Sequence, residues 1–151
     1  MTNLSIKRRR ENMNLIVLEG KRLINDAIEA GVKLKVIYFT LPGHLSDINN
    51  LNELTTNGGT RLVKVLYRDM KIYSSLITSP GIMAVAEKPV FEDLKSSRIS
   101  TMGEKIMPVT VVCDNVRDPG NLGTIIRVAA AAGIEKVLLT VGCVDMWNNK
   151  V

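Results

Sequence analysis

The sequence predicts an α/β chain in two parts, and three observations carry that reading. Short, β-branched apolar runs alternate with segments of helical spacing from Leu15 to Ala86. Pro89–Met107 changes character: EDLKSSRISTMGEK is polar, serine-containing and aperiodic, as a linker is. Pro108–Thr140 then reads strand, loop, helix, strand. The expected organisation is a domain over 1–88, a linker over 89–107 and a second unit over 108–151.

The first part opens with Leu15-Ile16-Val17-Leu18, an apolar strand. Glu19-Gly20 turns the chain into a helix over Lys21–Ala30, where Leu23, Ile24, Ala27 and Ile28 fall at helical spacing and Gly31 closes the helix. Val36-Ile37-Tyr38-Phe39 is the next strand, ended by Leu41-Pro42-Gly43. Leu45–Leu54 reads as a weaker helix with Asn57-Gly58-Gly59 as its terminator. A strand over Leu62–Leu66, a short helix over Asp69–Leu76 and a strand over Ile82–Ala86 complete the alternation.

In the second part Val109–Cys113 is an apolar run of the kind that makes a buried parallel strand, and Asp114–Asn121 is a polar loop carrying a Pro-Gly pair. Leu122–Ala132 follows as a helix with Gly133 at its C′ position, and Lys136–Thr140 begins a second strand. A strand-helix-strand crossover is expected to be right-handed. That places the loop and the start of the helix at the carboxyl edge of the sheet, where open α/β sheets bind ligands.

One residue is out of place in that unit. Arg127 interrupts the apolar helix, and its neighbours one turn away are the small residues Gly123, Thr124, Ala130 and Ala131. Such a clearing admits another backbone, a phosphate or a ribose, and a guanidinium fork suits an anionic oxygen. The plainer alternative is an arginine paired with a carboxylate or snorkelling to the surface. Asn121, six residues earlier, stands where it could cap the helix.

Composition narrows the function classes. Of 151 residues 46% are apolar and 23% charged, a globular balance, and no apolar run approaches the roughly 18 residues of a membrane helix. Two cysteines, Cys113 and Cys143, and one histidine, His44, argue against a zinc site or a disulfide framework and suit a reducing compartment. Residues 1–40 hold eight basic side chains against four acidic ones and so supply +4 of the net +5. The run Lys7-Arg8-Arg9-Arg10 is either a solvated cluster or, with a pI near 9.4, the footprint of a polyanion partner. Six aromatic residues point to backbone contacts rather than base stacking as the main binding mode. No secretory signal is visible, and the ten residues before Glu11 are too few for an acid-poor mitochondrial presequence.

Asp114-Asn115-Val116-Arg117-Asp118-Pro119-Gly120-Asn121-Leu122-Gly123-Thr124-Ile125-Ile126-Arg127 resembles the first signature motif of the SpoU (TrmH-type) branch of the SPOUT RNA methyltransferases. Gly142-Cys143-Val144-Asp145-Met146-Trp147 is most similar to the animal mitochondrial rRNA methyltransferase 3 group within it. Arg8-Arg9-Arg10-Glu11, Leu18-Glu19-Gly20-Lys21-Arg22-Leu23 and Thr78-Ser79-Pro80-Gly81-Ile82-Met83-Ala84-Val85 resemble the family's L30e-like substrate-binding domain. The resemblance implies an L30e-like domain followed by the first βαβ unit of a SPOUT knot domain. It also implies 2′-O-ribose methylation of RNA, most readily rRNA, with S-adenosylmethionine.

By that resemblance Arg127 activates the ribose 2′-hydroxyl and Asn121 shapes the same site, while Arg8, Arg9, Arg10, Glu19, Lys21, Arg22 and Arg117 meet the RNA. Glu19-Gly20 also reads as a plain strand-to-helix turn. A guanidinium with a pKa above about 12 is a poor general base, so Arg127 is read as holding phosphate and stabilising a developing alkoxide, with proton abstraction as the open alternative. The resemblance implies that the residues holding S-adenosylmethionine, and the dimerising knot, lie beyond Val151; separately, two parallel strands and one helix are too little to make a domain, so the chain is expected to be incomplete. Location is mitochondrial by resemblance, with the cytoplasm as the alternative. The competing functions are a non-catalytic RNA-binding fragment or short isoform, and a nucleotide-binding Rossmann enzyme. Gly120-Asn121-Leu122-Gly123 lacks the G-x-G-x-x-G pattern that the Rossmann reading needs.

Overall fold

A computed structural model describes residues 11–74, 76–89, 107–148 and 150–151; Arg8–Arg10 and most of the expected linker lie outside them. The chain divides into two compact units, Met1–Pro89 and Val90–Val151.

In the first unit the order is β1 (Leu15–Glu19), α1 (Lys21–Glu29), β2 (Leu34–Phe39), a 3-10 turn at Pro42–His44, α2 (Leu51–Thr56), β3 (Arg61–Lys64), α3 (Tyr67–Tyr73) and β4 (Ile82–Glu87). The sheet order is β1-β4-β2-β3. β4 runs antiparallel to both β1 and β2, and β3 lies parallel to β2. An inner strand is paired on both edges and covered on both faces, so Ile82-Met83-Ala84-Val85-Ala86 can be apolar throughout, and all five are buried.

The alternation of the strands sorts the core. Ala84 and Ala86 stand opposite Leu18 and Ile16, and these short side chains leave room for α1, which packs on β1 and β4. Ile24 of α1 is fully buried, a contribution of about 1.5–3 kcal/mol from its side chain. Leu23, expected on the buried stripe, is 46% exposed instead; the inward face is narrower and is centred on Ile24 and Ala27. Val36 and Val85 form a second apolar cluster with Leu15, Val17, Tyr38 and Val63.

Helix closure follows the glycine rule. Val32 N–H donates to the Ala27 carbonyl and Gly31 N–H to that of Ile28, the paired bonds of a Schellman motif, with Gly31 at φ +73°.

The expected helix over Leu45–Leu54 does not form there. Asn25 Nδ2 donates to the Asp47 carbonyl at 2.7 Å, Asn49 N–H donates to Asn25 Oδ1 at 3.0 Å, and Asn49 Nδ2 donates to Glu29 at 3.1 Å. Side chains of α1 thus satisfy a backbone that would otherwise coil, and the helix starts only after Asn50, whose φ is +51°. The short helix expected over Asp69–Leu76 is shifted to Tyr67–Tyr73.

The second unit is β5 (Met107–Cys113), α4 (Pro119–Ala131) and β6 (Ile134–Leu139), with β5 and β6 parallel and Cys113 opposite Leu139. Gly133 closes α4 at φ +69°. The helix begins three residues earlier than its apolar run. Leu122, Gly123 and Ala129 are its buried residues, while Val109, Val112, Val128 and Leu138 remain 44–62% exposed.

Candidate functional site

The loop after β5 is held by the loop after β6. Thr140 N–H donates to the Cys113 carbonyl at 3.0 Å, and its hydroxyl donates to Asp114 Oδ1 at 2.6 Å while accepting from Asn115 N–H at 3.3 Å. Cys143 acts as a second clasp: its thiol donates to the Cys113 carbonyl at 3.2 Å, and its sulfur accepts from Val116 N–H at 3.3 Å. Val144 N–H donates to the Val116 carbonyl at 2.9 Å. Asn115 sits at φ +54°, and its Oδ1 accepts from Arg117 Nε at 3.0 Å, which sets the direction of that exposed guanidinium.

Asp118 then ends the loop by capping α4. Its Oδ1 accepts from Asn121 N–H at 2.8 Å, and Pro119, with no N–H to satisfy, occupies the first helical position. The capping role considered for Asn121 therefore belongs to Asp118. Asn121 lies inside the first turn, exposed, and its side-chain amide makes no hydrogen bond among the described residues.

Asn121, Thr124 and Arg127 succeed one another at spacing i+3, so each borders the next along one ridge of α4. Arg127 is exposed rather than buried, and its Nη2 donates to Thr124 Oγ1 at 3.2 Å. Thr124 is fixed in turn by donating to the Gly120 carbonyl at 2.9 Å. The small-residue clearing is present: a Cβ on Gly123 would lie 3.1 Å from Arg127 Nη1 and would collide with the Val151 carbonyl oxygen. Among the described residues no carboxylate pairs with Arg127, which leaves most of its five donors available to an anionic oxygen.

In the first unit the sheet register gathers a second group. β1, β2 and β3 end where β4 begins: Glu19 stands opposite Met83, and Phe39 stands opposite both Ile82 and Lys64. Glu19, Lys21 and Arg22 lie at this edge. Glu19 Oε2 accepts from Ser74 Oγ at 2.8 Å and so ties the end of β1 to the end of α3. Lys21 pairs with Asp47 at 2.5 Å and reaches the Gly43 carbonyl at 3.4 Å. That bond and its charge, with help from Ser46, hold the Asp47 carboxyl below its ordinary range. Arg22 is exposed and has no partner among the described residues.

The same edge carries a groove that sequence reasoning missed, a cavity of about 650 Å³ whose lining includes Thr40, Leu41, His44, Lys64, Leu66 and Tyr67. The available signal was the lone histidine, but nothing near it in sequence shows that residues 40–44 and 64–67 meet.

Residues 1–84 match the MRM3-like substrate binding domain family, and residues 108–151 match the SpoU rRNA methylase family. The chain belongs to the MRM3-like substrate binding domain family. Human mitochondrial rRNA methyltransferase 3 is 44% identical to it over 153 residues, which cover 100% of this chain and 34% of the human protein. The 23S rRNA (guanosine(2553)-2′-O)-methyltransferase RlmP of Bacillus subtilis is 28% identical over 97% of the chain and 52% of that relative. The chain spans about a third of the length of the mitochondrial relative. The crystal structure of an AdoMet-bound rRNA methyltransferase from Sinorhizobium meliloti has a TM-score of 0.73 at 25% identity, over 97% of this chain and 52% of that one. AviRb of Streptomyces viridochromogenes, solved in complex with AdoMet, shares the fold with a TM-score of 0.72 at 21% identity, over 99% and 54%. The architecture is thus an MRM3-like substrate-binding domain followed by the opening βαβ unit of a SpoU methylase domain.

Proposed function

We propose that this chain supplies the RNA-binding domain and the ribose-facing motif of an rRNA 2′-O-methyltransferase that uses S-adenosylmethionine. The observation that carries the reading is the ridge of α4, where Arg127 stands beside Gly123 with no carboxylate partner among the described residues. A ribose-phosphate can approach along the exposed ridge of Asn121, Thr124 and Arg127, while the space over Gly123 is taken by the Val151 carbonyl and the Arg127 guanidinium. Arg127 then holds a phosphate oxygen and stabilises the alkoxide that develops at the 2′-oxygen, and Asn121 orients the ribose from one turn away. Arg117, aimed by Asn115, meets a neighbouring phosphate. Reaction rate depends on this positioning as much as on charge.

The described residues of the second unit do not fit the methyl donor. An adenosyl group needs an enclosed apolar slot, whereas Val112, Leu138 and Val141 are 60%, 53% and 102% exposed. Donor binding is therefore assigned to none of them. The same open faces support a second reading, that this polypeptide on its own binds RNA without transferring a methyl group.

Further parts of the proposal rest on the relatives and on the resemblance. They are domain limits of 1–88 and 108–151, a mitochondrial location, a homodimer in the complete enzyme, and RNA contacts from Arg8, Arg9, Arg10, Glu19, Lys21 and Arg22. Lys21 must exchange Asp47 for phosphate to take part.

The test is transfer of labelled methyl groups to an rRNA transcript by a polypeptide carrying the complete SpoU domain, with ribose methylation scored by resistance to alkaline hydrolysis. Arg127→Ala is expected to abolish transfer while RNA affinity stays within a few-fold. Unchanged transfer overturns the role of Arg127. RNA binding without transfer by the 151-residue chain alone, beside transfer by the complete polypeptide, favours the second reading.

A further inference from the structure

We infer that the groove beside His44 and Tyr67 receives one unstacked nucleobase of the RNA, with the Tyr67 ring as its stacking face and Lys64 at the flanking phosphate. This rests on the reading of the first unit as an RNA-binding domain, and it adds a site for the base to one so far described only by charge.

Five observations converge. Leu41 follows β2, and Lys64, Leu66 and Tyr67 span the end of β3 and the start of α3, so the groove opens at the carboxyl ends of two parallel strands. Its volume of about 650 Å³ lies within the roughly 300–1,000 Å³ of sites that take small ligands or parts of larger ones. Leu41, Leu66 and Tyr67 leave 61%, 58% and 50% of their surfaces in water, a high apolar exposure that a flat base would cover.

The polar wall is built rather than incidental. Thr40 is only 7% exposed, and its hydroxyl lies 3.1 Å from His44 Nδ1 and donates to the Gly81 carbonyl at 3.3 Å. Gly81 admits the imidazole because it has no Cβ, which would strike the ring. The ring is thereby oriented on one side, and its Nε2 makes no hydrogen bond among the described residues.

Charge decides the class of ligand. Among the described residues neither Lys64 nor Arg22, which stands at the same edge of the sheet, has a partner, so the surroundings favour an anionic chain over an apolar peptide. Single-stranded RNA combines a polyanionic backbone with a base that has a π-face, and the groove offers a counterpart to each.

The experiment measures anisotropy of two labelled RNA probes with the full chain: a hairpin with an unpaired loop and a blunt duplex of equal length. Tyr67→Ala is expected to weaken hairpin binding about 5- to 100-fold while leaving duplex binding and the salt slope unchanged. Tyr67→Phe keeps the ring and is expected to keep the affinity. Leu41→Asn, at a position 61% exposed, weakens the hairpin alone in the same sense and provides the test if Tyr67→Ala fails to fold. Lys64→Ala lowers the salt slope by about one contact on the hairpin.

Hairpin binding that survives both Tyr67→Ala and Leu41→Asn overturns the base site and leaves the RNA reading intact; the groove would then belong to a protein partner. Failure of the unaltered chain to bind either probe overturns the RNA reading and the base site with it.

Discussion

At the scale of single residues, the start of α4 separates two roles that lie three positions apart. Asp118 carries the cap, so Asp118→Ala is expected to cost about 1 kcal/mol in urea unfolding. Asn121 contributes only its backbone N–H to that cap, and Asn121→Ala is expected to stay within about 0.5 kcal/mol of the unaltered stability. In a polypeptide carrying the complete SpoU domain the order reverses, with Asn121→Ala lowering methyl transfer far more than stability. A stability loss from Asn121→Ala that matches its loss of transfer would make the asparagine structural. Both residues were legible as polar groups at a helix start, but which one caps depends on a single turn of register. Pro119 settles it, because its missing N–H belongs at the first helical position.

At the scale of elements, α1 and the loop after β2 are coupled by the pair Lys21–Asp47, backed by Asn25 and Asn49. The Asp47 carboxyl titrates below its ordinary value of 3.8 in the folded chain, because Lys21 donates to it and attracts it. A lowered folded value means that the pair's contribution is fully present above 3.8 and disappears as pH falls through the folded value. Asp47→Asn is therefore expected to lower the Tm at pH 7, with the difference from the unaltered chain closing below about pH 3.8 and shrinking at high salt. The substitution also frees Lys21, so RNA binding at neutral pH gains up to about one phosphate contact in its salt slope. An unchanged slope would place Lys21 away from the RNA. Elements with strong periodicity, such as α1 and β4, were legible at nearly their true limits. The loop at 45–50 was not, since its backbone is satisfied by side chains from about 20 residues away.

At the scale of the whole molecule, charge is concentrated rather than spread: residues 1–40 supply +4 of the net +5. If the basic run binds phosphate, replacing Arg8, Arg9 and Arg10 together with alanine lowers the salt slope of RNA binding by up to about three contacts, measured as affinity against salt concentration. An unaltered slope would leave the run merely solvated. The MRM3-like unit and the SpoU unit divide the work in this proposal, affinity in the first and ribose chemistry in the second. Arg127→Ala and the triple substitution are thus expected to act on different observables.

The sequence by itself determined the α/β class, the alternation of elements, the family motif at 114–127 and the small-residue clearing around Arg127. Each of these is local: hydrophobic period, glycine and proline positions, and side chains one helical turn apart are all fixed within about a dozen residues. Tertiary structure alone decided the sheet order β1-β4-β2-β3, the clasp of Cys143 and Thr140 on the motif loop, the pairing of Lys21 with Asp47, and the groove between residues 40–44 and 64–67. All four join segments some 20 to 70 residues apart in the chain. Their partners are chosen by which strands pair and which loops that pairing brings to one edge, and no local period records that choice.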